Sequence, residues 1–450
     1  MDTASIKKLT ASGLALAMRE KRLKPSSVAE AYLADAQNAV EGVFTARDSK
    51  AALRRAEQLD KNPITSETSA VFGLPVAVAD NINTADLPTA CGSKMLEGFR
   101  PFYDATAVAR LKKQGAVILG KTVIDEFGLS DGTTPPILSA PPGQRGICGA
   151  AEAVARNLAP LALASDSEGS MRLAAAARGL VGYKPTFGAV SRNGLISYAH
   201  AFDQIGAIAR TVSDAALLAA AVIGHDKSDA TSIPKFKPDF SGIENFNPAG
   251  EKIGILKEFW ENEPVSAAIK KFRSLGAEIV EIALPHTEHA LSAYYILSSA
   301  EASSNLAKFD GARFGFRADC ADTESLYVNS RSQGFGAEAK RRMAAGAFML
   351  SAQNREAYYQ KARAARHLIC GDFKSAFESC DIILAPVASA EAVWANLAGL
   401  PAVSVPCGKQ ITNADRNLEP AAVQLVGKKF DDAALLGFAR ALEKTSGEAR

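Results

Sequence analysis

The chain has 450 residues, with 51 Lys and Arg against 49 Asp and Glu and a net charge of +2. That balance supplies no bulk field toward nucleic acid or an acidic membrane surface, so direct nucleic-acid binding is not indicated. Hydrophobic residues make up 47%, ample for a large core, yet no apolar run reaches the roughly eighteen residues of a membrane-spanning helix. The first residues lack the apolar centre of a secretory leader. We therefore expect an intracellular protein, of cytoplasm or mitochondrion, without membrane insertion.

The first sixty or so residues read as helices. Ile6, Leu9, Leu14 and Met18 fall at roughly helical spacing, Ser26-Ser27 suits the cap of a second helix, and a third runs from Ala51 to Leu59. From Gly73 the pattern changes to short apolar strands alternating with helices. Strands are expected near 73–78, 116–120 and 161–164, with a helix near 105–111 between the first two. A helix at 213–223 follows, then strands at 253–256 and 278–282 around another helix. A long helical stretch covers about 290–377. Strands at 382–385, 402–405 and 423–426 and a final helix close the chain. This alternation predicts an α/β fold, with a sheet covered by helices on both faces. Without repeats or linkers, one domain over 1–450 is expected: N-terminal helices to 65, a core over 66–230, a strand-helix and helical excursion over 231–380, and a C-terminal sheet and helix from 381.

The six cysteines, Cys91, Cys148, Cys320, Cys370, Cys380 and Cys407, show no CxxC spacing and read as reduced thiols. His286 and His289 could share a helix face, but no third metal ligand is evident, so no metal and no cofactor is expected. The tract Lys340, Arg341, Arg342 reads as a solvated helix face. Trp260 and Trp394 read as core or interface residues.

Several segments carry chemistry. Leu163-Ala-Ser-Asp-Ser-Glu-Gly-Ser170-Met-Arg-Leu is followed by Gly179-Leu-Val-Gly-Tyr-Lys-Pro-Thr-Phe-Gly188. Before it stand Gly73-Leu-Pro-Val-Ala-Val with Asp80-Asn81, and Ala116-Val-Ile-Leu-Gly-Lys-Thr122. After it come Asp203-Gln-Ile-Gly206 and Asn396-Leu-Ala-Gly-Leu-Pro-Ala-Val-Ser-Val-Pro-Cys-Gly408. Together these resemble the amidase signature family. Ser303 to Gly315, Ser330 to Gly336, Lys340 to Met343 and Tyr358 to Ala362 resemble one branch of it, the glutaminase (A) subunits of tRNA-dependent glutamyl/aspartyl amidotransferases. The resemblance spans nearly the whole chain and implies the amidase-signature fold, a large mixed twisted sheet with helices on both faces.

It also implies a mechanism. In the family a neutral lysine takes the proton, a serine on a cis peptide relays it, and a second serine attacks the amide carbonyl while turn N–H groups hold the oxyanion. The nucleophile position is kept as Ser170. The lysine position, after the strand and before Asp80, is Ala79, whose methyl cannot carry a proton. Counting back twenty-four residues from Ser170 places the relay serine at Gly146. The oxyanion-turn positions are Ser167, Glu168 and Gly169, and Glu168 replaces a family glycine. A carboxylate there would repel a developing oxyanion, and the site could also demand a glycine backbone. Two loops, between Phe127 and Gly143 and between Pro386 and Asn396, look shortened against the family.

Asp80, Asn81, Asp166 and Arg172 match family positions that brace the site. Without the lysine, the residue-level reading gives Ser170 a structural role, its hydroxyl bonding the turn or capping the next helix. Cys148, near Arg145, reads as a small buried thiol. On these losses we expect a catalytically degenerate pseudoenzyme, a structural or binding subunit of a hetero-oligomer with amidotransferase B/C-type subunits. The alternative is an active amidase or glutamine amidotransferase subunit with a rewired Ser170 site, in which Glu168 acts as a base toward water.

Overall fold

The computed structural model describes residues 1–34, 42–65, 67–129, 148–411 and 418–446. Three short helices open it: α1 (Thr3–Lys8), α2 (Ala11–Arg19) and α3 (Pro25–Leu33). Ser26-Ser27 does not cap α3. Lys24 is its N-cap and Pro25 its first residue, where a missing N–H is no loss. Ser26 instead gives its N–H and hydroxyl to Asp60, at 3.0 and 2.5 Å. A strand, β1 (Phe44–Arg47), stands where only helix was expected, ahead of α4 (Ser49–Leu59).

The alternating core runs β2 (Pro75–Ala79), α5 (Thr106–Lys113), β3 (Val117–Thr122), α6 (Gly149–Ala155), β4 (Leu161–Asp166) and α7 (Ser170–Ala177). It continues through β5 (Val181–Lys184), β6 (Gln204–Ala209) and α8 (Val212–Val222). A parallel pair, β7 (Lys252–Leu256) and β8 (Glu278–Ile282), flanks α9 (Glu263–Ser274). The long helical stretch is four helices: α10 (Ala290–Asn305), α11 (Thr323–Gly334), α12 (Ala337–Leu350) and α13 (Lys361–Ala376). The chain then forms β9 (Ile382–Pro386), α14 (Ser389–Ala398), β10 (Ala402–Ile411), β11 (Leu418–Gly427) and α15 (Asp432–Thr445).

Among the described residues eleven strands join one sheet in the order β1-β3-β2-β4-β6-β5-β10-β11-β9-β7-β8. It is mixed: β2 pairs in parallel with β3 and β4, whereas β4–β6, β6–β5 and β5–β10 are antiparallel. Helices cover both faces. Every residue of β2 is buried, which explains its unbroken apolar sequence, since a strand covered on both faces has no solvent side to mark with polar residues. Among the described residues no helix is long and apolar enough to cross a membrane.

The basic tract on α12 corrects an expectation. Arg342 is not part of a solvated face; it is 2% exposed. Ala339, Arg342 and Gly346 form the buried stripe of α12, the i, i+3, i+7 spacing of one helix face. Trp394 is buried in the core, as expected.

Candidate active site

The site is built where β2 and β4 end. Antiparallel pairing sets Asp166, the last residue of β4, opposite Gln204 of β6. The chain then turns through Ser167, Glu168 and Gly169 into α7, with Ser170 as its first residue. Gly169 holds the left-handed φ of 96°, and a Cβ there would lie 2.3 Å from that of Ala392 on α14. The turn is thus clamped beneath α14, and the position that demands glycine is 169. Glu168 is not among the residues with positive φ, so the expected backbone objection to a glutamate there does not hold.

Arg172, one turn into α7, organises what lies beneath. Fully buried, it gives Nε and Nη2 to the Asp166 carboxylate at 3.0 and 3.1 Å. Nη2 also reaches Asn396 Oδ1 at 2.7 Å and Ala392 O at 2.8 Å, and Nη1 donates to Gln424. Asn396 Nδ2 returns a bond to Asp166 at 2.9 Å. Burial would push the Asp166 carboxyl up, but Arg172 outweighs it and holds the group low. The same carboxylate accepts from Gly169 N at 2.9 Å, so that turn amide is spoken for. Ser170 is half-buried and is not the N-cap, a place taken by Gly169 without a side-chain bond. The expected capping role for its hydroxyl is therefore not what the structure shows. At a helix N-terminus the first-turn N–H groups point outward and favour negative charge.

Asp203 braces the turn from the other side. Its Oδ2 accepts from Tyr198 N and Ala199 N, both at 3.0 Å, and from the Ser197 hydroxyl. Burial raises the Asp203 carboxyl above its ordinary value, against the pull of the nearby Ser167 and Ser197 hydroxyls.

Ala79 ends β2 opposite Thr122. The neighbouring Lys121 does not stand in for the lysine that the resemblance places at position 79. It pairs with Val78, so it lies on the opposite sheet face from Ala79. Its Nζ is bound to Ile82 O and, at 2.9 Å, to Thr89 Oγ1. Burial lowers Lys121 to about 8 and raises Asp80, 3.9 Å away, to about 6. Asn81 braces as expected, giving Nδ2 to Ser165 Oγ at 2.8 Å. Gly146, Arg145 and most of the first shortened loop lie outside the described residues. The second loop expected to be short, after Pro386, contains α14, the helix that clamps the turn before Ser170. Cys148 is half-buried, and burial pushes its thiol up to about 11, an inert group rather than a nucleophile.

Two adjoining cavities of about 620 and 510 Å3 share Glu301, Tyr359 and Arg366. They open beside the loop that carries Asp203, with Phe202 against one and His200 and Arg192 against the other. His286 does not turn toward a metal: its Nδ1 sits 2.8 Å from Asp372. Among the described residues no group of three ligating side chains converges.

Sequence reasoning passed over Gln424, Tyr198, Tyr294 and Glu301. A glutamine inside the apolar strand Val423-Gln424-Leu425-Val426 was a signal for Gln424, since a buried amide must find partners. The tyrosines are joined only through the tertiary fold and carry no local signal.

An amidase family model matches residues 27–394. The chain belongs to the amidase-signature family. The A subunit of glutamyl-tRNA(Gln) amidotransferase from Caldanaerobacter subterraneus subsp. tengcongensis is 40% identical to it, covering 97% of this chain and 96% of the relative. Its counterpart in Lysinibacillus sphaericus is 41% identical over 90% of this chain and 89% of its own. Among solved structures, the A subunit of glutamyl-tRNA(Gln) amidotransferase from Thermotoga maritima aligns over 99% of this chain and 96% of its own, with 32% identity and a TM-score of 0.74. The peptide amidase of Stenotrophomonas maltophilia aligns over 98% of each chain at 26% identity and a TM-score of 0.81.

These relatives overturn the expectation of a catalytically degenerate pseudoenzyme. Similarity at about this level to amidase-type enzymes, sustained over nearly the full length, favours an active amidase-signature protein. The expectation counted the alanine and glycine at two family positions as loss of the whole apparatus. It left out the intact turn beneath Ser170 and treated Glu168 as a strained intruder, which its backbone is not.

Proposed function

We propose that this chain is the amide-hydrolysing subunit of a glutamine amidotransferase, working at a rewired Ser170 site. The reading is carried by its full-length likeness to the A subunits of glutamyl-tRNA(Gln) amidotransferases, joined to a nucleophile turn whose Asp166–Arg172–Asn396 support is complete.

In the reaction, the Ser170 hydroxyl attacks the side-chain amide carbonyl of glutamine and a γ-glutamyl ester forms on Oγ. The hydroxyl proton passes to Glu168, which stands two residues earlier, in place of the family lysine missing at Ala79. The C–N bond then breaks, the proton returns to the leaving nitrogen, and ammonia departs. Water attacks the ester, Glu168 taking its proton; the bond to Ser170 Oγ then breaks, the proton passes from Glu168 to Oγ, and glutamate leaves. The outward N–H groups at the start of α7 favour the oxyanion.

A free amino acid carries a cation and a carboxylate at its head. Arg366 and Glu301, both lining the two adjoining cavities, supply the opposite charges in one groove. Ammonia is useful only where a second site consumes it, so we take the chain to act in a hetero-oligomer with B- and C-type subunits that receive ammonia and bind the tRNA.

The test is capture of the intermediate. Glutamine mixed with the protein and quenched in acid should leave a glutamyl ester on the peptide bearing Ser170, identified by mass spectrometry and absent from Ser170→Ala. An adduct on another residue, or none under turnover, would contradict the reading.

A further inference from the structure

A third cavity, of about 230 Å3, lies between the start of α4, the start of β3 and the loop that follows β2. It shares no lining residue with the two cavities beside Asp203. Ala51, Ala52, Leu87, Ala116 and Ile118 give it an apolar lining. Three of these are alanines, and their short side chains leave the room. The volume is below the roughly 300 Å3 at which sites for drug-sized molecules begin, so the guest has the bulk of a single amino acid.

Two acids and two bases also line it, Asp48, Asp86, Arg55 and Lys112. Lys112 and Asp86 are engaged with each other: the Lys112 amine lies 2.5 Å from Asp86 and 2.9 Å from both carboxylate oxygens of Asp104. Asp48 and Arg55 have capacity left. Asp48 caps α4, its Oδ1 accepting from Ala51 N at 2.8 Å, and among the described residues its other oxygen has no partner. Arg55 gives Nη2 to Lys112 O at 3.1 Å, which ties it to the last turn of α5. Its Nε and Nη1 have no partner among the described residues.

Asp48 and Arg55 are seven residues apart, so they share one face of α4 with about 10 Å between them along its axis. No ion pair joins them. A small molecule carrying both charges would close that gap, its carboxylate on Arg55 and its ammonium on Asp48, with its body on the alanine floor. Thr84 spends its hydroxyl on Ile82 O at 3.3 Å and Lys112 its amine on two aspartates, so the cavity holds a ligand rather than converting it. We infer that this cavity is a binding site for a free α-amino acid with an apolar side chain, of which leucine is the representative. The inference stands apart from the Ser170 chemistry.

The experiment is isothermal titration calorimetry on the full chain with L-leucine, L-leucinamide and isocaproate. Leucinamide lacks the carboxylate and isocaproate the ammonium. Leucine should bind with a Kd of about 1 mM or tighter, and each truncated probe at least about tenfold more weakly, having lost a charged hydrogen-bonding group. Arg55→Met keeps an unbranched stem, and Asp48→Asn keeps a capping acceptor. Each should weaken leucine by about tenfold or more, and Ala51→Leu, which fills the cavity, should abolish binding. Urea midpoints show that each variant is folded. No binding of leucine up to about 10 mM would overturn the inference. So would binding that all three variants leave unchanged, which would place leucine elsewhere on the molecule. Neither result depends on glutamine turnover, so the amidotransferase reading stands or falls separately.

Discussion

Arg172 grips Asp166 through two parallel hydrogen bonds, Nε at 3.0 Å and Nη2 at 3.1 Å, across the turn that presents Ser170. Neither side chain has any exposure, so each neutralises a charge that water cannot reach. Breaking one partner of a buried pair costs about 3–5 kcal/mol, because the other charge is left uncompensated. Arg172→Met should lose about that much in urea unfolding, and amide hydrolysis with it. A loss below about 1 kcal/mol would mean that the pair does not organise the turn.

Gly169 should tolerate no side chain. A left-handed φ costs an alanine about 1–2 kcal/mol, and its Cβ would stand 2.3 Å from that of Ala392. Gly169→Ala is therefore expected to lose more than about 2 kcal/mol in chemical denaturation. Adding Ala392→Gly removes the overlap but not the backbone cost, so it should restore part of the loss only. Full restoration would place the whole penalty in the overlap.

Lys121 makes stability depend on pH in a definite direction. Burial lowers its folded value from 10.5 to about 8, so the folded state binds this proton less tightly than the unfolded chain. The penalty is complete below pH 8 and is relieved as pH rises from 8 toward 10.5. Against Lys121→Met, the wild type should gain up to about 3 kcal/mol over that interval, with a flat difference below it. A difference that stays flat throughout would mean that Lys121 titrates as an ordinary exposed lysine.

Much of the sheet was legible because its central strands are apolar runs, as in Pro75–Ala79 and Leu161–Asp166. β5 and β6 were not seen: Val181–Lys184 is short and ends in a lysine, and Gln204–Ala209 begins with a glutamine and holds a glycine. Both pair only through long-range register, which local pattern does not carry. Arg342 was misplaced because three consecutive basic residues look solvated, whereas a helix face takes only one of any three neighbours inward. At the site, Ala79, Glu168 and Ser170 were readable one by one. What supports them was not, since Arg172 beneath the turn reaches Asn396 and Gln424, residues 224 and 252 positions away in sequence.

The most direct test of the account is glutamine-dependent ammonia release by the chain in complex with its partner subunits, compared between wild type and Ser170→Ala. Ser170 is half-buried and caps no helix by its side chain, so the variant should fold with stability within about 0.5 kcal/mol of wild type. The account predicts clear turnover by wild type and its loss in Ser170→Ala. Equal release by the two proteins, or none by either, would contradict it.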